Sequence, residues 1–192
     1  MTAYIFLAEG FEEIEALTPV DLLRRAGHEI MTVSVTGSHK VTGANSITVE
    51  TDLIFGETDF GDADFLITPG GMPGASNLHA FAPLNELLKG HAARGGKIAA
   101  ICAAPAVVLA PLGLLDGRNA TCYPGFENLC KEHGAIMHDE RVVHDGNIIT
   151  ANGPSSATLF ALKIIEVACG KETADSVASG ILLYPGSMPY YF

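Results

Sequence analysis

Three short runs, Tyr4-Ile-Phe-Leu-Ala8, Asp64-Phe-Leu-Ile-Thr68 and Lys97-Ile-Ala-Ala-Ile101, carry apolar residues at consecutive positions rather than alternate ones. A strand that is apolar on both faces has to be covered on both faces, which is the condition of a parallel sheet between two layers of helices. The segments between the runs supply those helices. Residues 12–25 have helical spacing, with acids in the first turn, arginines in the last and Gly27 as a stop. Similar patterns are predicted over 84–94, ending at Gly95-Gly96, over 126–133, over 155–168, closed by Gly170, and over 172–183.

Residues 28–35 are rich in β-branched side chains and are predicted to form a second strand; 121–123 reads as a strand end. Residues 41–52, around Gly43 and Asn45, suggest a hairpin or short edge strands. Residues 141–151 read as two strands turning at Asp145-Gly146. There is no repeat, low-complexity tract or linker. The expectation is one domain over 1–192: an α/β three-layer sandwich with a mostly parallel sheet.

Composition narrows the function. The 192 residues hold four cysteines, Cys102, Cys122, Cys130 and Cys169, with no CxxC pair and no zinc-ligand spacing to histidine. A disulfide framework is not expected, and neither is a metal. The first residues lack a basic n-region, and no stretch approaches the roughly 18 apolar residues that span a bilayer. A soluble cytoplasmic protein without a membrane partner is expected. The net charge of −11 repels a polyanion, and Arg24-Arg25 is the sole adjacent basic pair, so nucleic acid is disfavoured as a partner. Neither GxGxxG nor a P-loop is present, and no cofactor is expected.

The chemistry concentrates at strand ends. The third run leads straight into Cys102, with Ala100 and Ala104 two positions to either side and a helical pattern following. That is the layout of a nucleophile elbow, whose serine version places glycine at both flanking positions. A helix N-terminus beneath the sulfur would lower its pKa. The plainer alternative is a small core hydrophobe, since cysteine is often buried. Against it, ligands in such sheets bind beyond the carboxyl ends of strands. Three strand-end loops meet there: 9–15, Pro69-Gly70-Gly71-Met72, and Cys102-Ala103.

Gly70 and Gly71 could offer backbone N–H groups, with that of Ala103, as an oxyanion site; a simple turn is the bland alternative. Glu12, Glu13 and Glu15 open a helix, and spacing does not choose among them. A glutamate beside a thiolate would have its pKa raised and could serve as a general acid. None of the seven histidines lies in these loops, and position 103 is alanine, so no local Cys–His dyad is suggested. His138 and His144 read as surface residues. Cys122 and Cys130 read as structural thiols. The aromatic tail, 184–192, is a candidate for packing on the body or on an oligomer interface.

Taken together, Leu7-Ala8-Glu9-Gly10-Phe11-Glu12-Glu13-Ile14-Glu15, the stretch 18–27, Pro69-Gly70-Gly71, Ala99-Ala100-Ile101-Cys102-Ala103-Ala104-Pro105 and Asn152-Gly153-Pro154 resemble the ThiJ/PfpI superfamily, in the branch of Parkinson disease protein 7 and its bacterial homologues. The resemblance implies a flavodoxin-like, class I glutamine-amidotransferase-like fold and a homodimer. It implies that Glu15 hydrogen-bonds the Cys102 thiol, with N–H groups of Gly71 and Ala103 forming the oxyanion pocket. Gly70, Tyr123 and Asn152 complete the expected site. It implies a cysteine readily oxidised to a sulfinate. The implied activities are glutathione-independent glyoxalase or protein deglycase action on small dicarbonyls and their adducts, or a redox-responsive chaperone role. A hydrolase ranks last. Tyr123 departs from the histidine of the best-known member. A phenol with a pKa of about 10 is a poor base at neutral pH, leaving proton transfer to Glu15.

Overall fold

The apolar runs form the centre of one twisted sheet. In the computed structural model, which describes residues 1–183, the strands β1 (Thr2–Leu7), β2 (Glu29–Ser34), β5 (Leu53–Ile54), β6 (Phe65–Thr68), β7 (Lys97–Ile101), β10 (Val142–Asp145) and β11 (Ile148–Ala151) pair in the order β10-β11-β7-β6-β1-β2-β5. All neighbours are parallel except the β10–β11 hairpin. The core order β2-β1-β6-β7-β11 is the flavodoxin-like doubly wound order, with its switch point between β1 and β6. Two small pairs stand outside this sheet: β3 (Lys40–Thr42) with β4 (Thr48–Glu50), and β8 (Asn119–Ala120) with β9 (Ile136–Met137). The aromatic tail lies outside the described residues.

Right-handed crossovers on either side of the switch point send helices to opposite faces. Helix α1 (Glu13–Arg25) packs against α5 (Ala157–Cys169), which carries α6 (Lys171–Gly180). On the other face lie α2 (Gly74–Ala80), α3 (Ala82–Ala93) and α4 (Glu127–Glu132), with a π-helical turn at Pro105–Leu109 that contacts α2 and α4. Two-sided cover explains why every residue of β6 and of β11 is buried. Arginines close α1 as expected, with Arg24 paired to Asp52 at 2.9 Å and Arg25 to Asp21 at 2.7 Å. Among the described residues no helix is long and apolar enough to cross a membrane.

Some elements differ from expectation. Helix α2 was not foreseen, because Gly-Ala-Ser-Asn has little helical propensity and no side chain caps it. Burial of Ala75 and Leu78 holds it in place. The region 41–52 does form a hairpin, and the next residues add β5 to the edge of the main sheet.

The β3–β4 hairpin is tied to α1 by one side chain. Buried Glu13 accepts hydrogen bonds at Oε1 from the Asn45 N–H (2.8 Å) and the Ile47 N–H (3.4 Å), and at Oε2 from Asn45 Nδ2 (2.9 Å). These donors outweigh burial and hold the carboxyl below its ordinary pKa. A depressed carboxylate pKa stabilises the fold above the unfolded-state value and loses that contribution as pH falls through the folded-state value. Protection factors for the Asn45 and Ile47 amides should therefore be high at neutral pH and fall as pH drops through the depressed Glu13 value. In Glu13→Ala they should be low throughout. Equal protection in both proteins at neutral pH would refute the tie.

Candidate active site

Strand β7 delivers Cys102 into a turn where its φ is +65°, a left-handed conformation rarely held by residues other than glycine. Such strain costs about 1–3 kcal/mol and persists where the surroundings fix it. Here the Cys102 N–H donates to the Ala151 carbonyl at 2.8 Å, and its own carbonyl accepts the Tyr123 N–H at 2.8 Å. Ala100, Ala103 and Ala104 are all buried around it, leaving no room for larger side chains. The elbow expected from sequence is present, but the helix after it is wound wide. Pro105 begins the π-helical turn, closed by the Ala110 N–H on the Pro105 carbonyl. In place of a regular helix N-terminus, the sulfur receives two individual donors, the N–H groups of Gly71 and Ala103.

The three glutamates after β1 have separate tasks. Glu12 caps α1, its Oε2 accepting the Glu15 N–H at 2.7 Å. Glu13 holds the hairpin. Glu15, fully buried in the first turn of α1, is the acid at the cysteine: its Oε2 accepts the Gly70 N–H at 2.9 Å, and its carboxyl reaches the Cys102 thiol. Its other oxygen, Oε1, is buried and has no hydrogen-bond partner.

Gly70 is the spacer of this pair. A Cβ there would lie 2.6 Å from Cys102 Cβ and 2.7 Å from Glu15 Oε2. Its N–H is spent on Glu15, so the expectation that Gly70 serves the oxyanion site is corrected: the two donors to the sulfur come from Gly71 and Ala103. The loops after β1 and β6 are laced across the switch point. Glu12 N–H donates to the Gly70 carbonyl (3.1 Å) and Gly74 N–H to the Gly10 carbonyl (3.1 Å), while the Ala75 N–H on the Gly71 carbonyl (2.8 Å) tightens the second loop. Gly71, at φ +86°, has no space for a Cβ, which would sit 2.4 Å from the Glu12 nitrogen.

Electrostatics make the thiol and carboxyl one unit. Burial, with the nearby Glu12 charge, pushes Glu15 up to about 7, against the pull of Cys102 and the Gly70 N–H. Burial and the Glu15 charge push the Cys102 thiol up to about 12, opposed by the N–H groups of Gly71 and Ala103. The expected freely ionised thiol is thus not what this pocket gives while Glu15 is a carboxylate. Two buried acids in contact share a single negative charge. The donors decide where it rests. Charge on sulfur draws on the Gly71 and Ala103 N–H groups and on a protonated Glu15; charge on the carboxyl draws on the Gly70 N–H and the Cys102 S–H.

The remaining expected residues lie nearby with different engagements. Tyr123 is pinned to Cys102 through its backbone, while its ring, 44% exposed, lies over Gly153 and meets Phe126 edge-on. Asn152 follows β11, and its Oδ1 accepts the Ser156 hydroxyl at 2.6 Å. A cleft of about 480 Å³ is lined by Cys122, Pro124, His138 and Asn152. Cys122 and Cys130 are both buried, their thiols in hydrogen-bond contact, a pairing that sequence separation concealed. His138 and His144 are exposed, bonded to Asn119 Oδ1 and the Gly146 carbonyl. Among the described residues no cluster of His, Cys, Asp and Glu could hold a metal ion. Cys102 itself is only 8% exposed.

Comparison with known proteins gives the family and the fold. A model of the DJ-1/PfpI family matches residues 1–167. The chain is 36% identical to protein dj-1beta of Drosophila melanogaster over 182 residues, covering 95% of this chain and 97% of that protein. It is 34% identical to glutathione-independent glyoxalase DJR-1.2 of Caenorhabditis elegans, covering 91% and 92% respectively. The structure of oxidized Toxoplasma gondii DJ-1 superposes with a TM-score of 0.90 at 40% identity, covering 94% of this chain and 97% of that one.

Gly70→Ala tests the pairing directly. The added methyl would wedge between thiol and carboxyl, and a misplacement of this kind should slow iodoacetamide alkylation of Cys102 by about a hundredfold. Overpacking should also cost about 1–3 kcal/mol, read as a lower Tm. Wild-type alkylation in this variant would show that Cys102 does not depend on contact with Glu15.

Proposed function

The chain belongs to the DJ-1/PfpI family, and from that membership and the Glu15–Cys102 pair we propose that it is a cysteine-dependent, cofactor-independent stress-protective enzyme acting on reactive dicarbonyls. The observation that carries this reading is the buried carboxyl against the elbow thiol, beside two backbone donors. The glyoxalase name of the Caenorhabditis elegans relative supports it.

The chemistry follows from the groups present. The Cys102 thiolate adds to the aldehyde carbon of methylglyoxal, and the alkoxide that forms next to sulfur lies at the Gly71 and Ala103 N–H groups. Glu15 gives it a proton. The ionised carboxylate then takes the proton on the former aldehyde carbon and returns it to the neighbouring carbonyl carbon. That internal transfer oxidises one carbon to a thioester and reduces the other to an alcohol, so no external oxidant is needed. Water cleaves the thioester, releasing lactate and the thiolate. Early adducts of methylglyoxal on proteins or nucleotides present the same hemiacetal-like carbon, which extends the reading to deglycase action. The low exposure of Cys102 favours reactants of a few heavy atoms.

The proposal includes a homodimer working in the cytoplasm. Ile14 (54% exposed) and Leu17 on α1, with Ile47 on the hairpin and Met72 after β6, give the site end an apolar rim that supports such a contact.

A second reading is supported by the oxidized state of the Toxoplasma relative: Cys102 as a peroxide sensor, its sulfinate held by Glu15 and the two N–H groups. One experiment separates the two. Reduced protein is incubated with methylglyoxal without glutathione, and lactate is measured for wild type and Cys102→Ser. Many turnovers that vanish in Cys102→Ser are expected. Lactate limited to one equivalent or less would overturn the enzymatic reading and favour the sensor; undiminished turnover in Cys102→Ser would sink the covalent mechanism.

A further inference from the structure

The end of the sheet opposite Cys102 carries a second nucleophile. Helix α5 terminates at Cys169, stopped by Gly170 at φ +90°, and His28 follows Gly27 just ahead of β2. These two residues, 141 positions apart, meet with Cys169 Sγ 2.7 Å from His28 Nε2. Cys169 is exposed and His28 half-buried. Burial, with the N-terminal ammonium, holds the imidazole below its ordinary pKa against the nearby Asp64 carboxylate, and its Nε2 faces the thiol. The Asp64 Oδ2 is itself occupied by the Thr2 N–H at 2.9 Å.

A cleft of about 200 Å³ opens at this thiol, bordered by Asp64, Phe65, Lys97 and Cys169. The Lys97 ammonium stands 5.5 Å from the centroid of the Phe65 ring, and both residues line the same cleft. The site therefore pairs a nucleophile and base with a cation that lines the cleft beside them.

We propose that Cys169 is a modification site for small disulfides carrying carboxylates, of which glutathione disulfide is the type, with His28 as the base and Lys97 as the carboxylate anchor. Thiol–disulfide exchange suits this place because it builds no oxyanion and needs no donor pocket, only a thiolate with access to a sulfur. His28 Nε2 takes the Cys169 proton. The thiolate attacks one sulfur of the disulfide, the old S–S bond breaks as the new one forms, and the departing thiolate recovers the proton from the imidazolium. No outside oxidant enters beyond the disulfide itself. This site is independent of the Glu15–Cys102 chemistry, so loss of either leaves the other testable.

The experiment treats reduced full-length protein with glutathione disulfide and follows adducts by intact mass and peptide mapping. The expected result is one glutathionyl group on Cys169, absent in Cys169→Ser, forming on the order of tenfold or more slowly in His28→Gln. Lys97→Gln should slow glutathione disulfide but not an uncharged disulfide of similar reactivity, a split that general unfolding would not produce. Cys169 left unmodified while other cysteines react, or an unchanged rate in His28→Gln, would overturn the proposal. Equal slowing of charged and uncharged disulfides in Lys97→Gln would overturn the anchoring role of Lys97.

Discussion

One negative charge shared between the Glu15 carboxyl and the Cys102 thiol is the constraint around which the active end of this fold is organised. Both groups are buried, and their contact opposes a second charge on the pair. The pair is useful because its proton can sit on either partner. On the carboxyl, it leaves a nucleophilic sulfur and a ready acid; on the sulfur, it leaves an inert thiol. Three backbone N–H groups, from Gly70, Gly71 and Ala103, set the balance, and none can be removed by mutating a side chain.

Holding such a pair requires rigid elements that arrive from separate parts of the chain. β7 brings the sulfur and α1 the carboxyl, while the loop after β6 threads between them at Gly70. The parallel sheet makes this meeting unavoidable, since the carboxyl ends of β1, β6 and β7 lie side by side. The strained φ of Cys102 is maintained by hydrogen bonds to Ala151 and Tyr123, so β11 and the loop after β8 also contribute.

Much of this was legible in the sequence, because two-sided burial leaves an unbroken apolar signature and strand-end loops are punctuated by glycine and proline. The elbow at Cys102, the glycines after β6 and the acid cluster after β1 could all be placed from pattern. What spacing could not do was choose among Glu12, Glu13 and Glu15. All three suit a helix start, and only tertiary contacts give one to the cap, one to the hairpin and one to the sulfur. The same limit hid Gly70's role, since a glycine that avoids a clash looks like a glycine that makes a turn. It also hid the meeting of Cys169 with His28, which depends on where the ends of α5 and β2 fall in space. Helix α2 was missed because packing, rather than propensity, stabilises it.

The location of the shared proton is the central claim, and the pH dependence of Cys102 alkylation in wild type and Glu15→Gln measures it most directly. Glutamine keeps the shape of Glu15 but donates more weakly to a thiolate than a carboxylic acid does. If the reactive form is a thiolate held by protonated Glu15, wild-type alkylation should rise with a midpoint below the ordinary thiol value of about 8.5, and Glu15→Gln should move it up by about one pH unit or more. A Glu15→Gln protein that alkylates faster than wild type at neutral pH would contradict the account, because it would mean that Glu15 holds the charge and suppresses the sulfur.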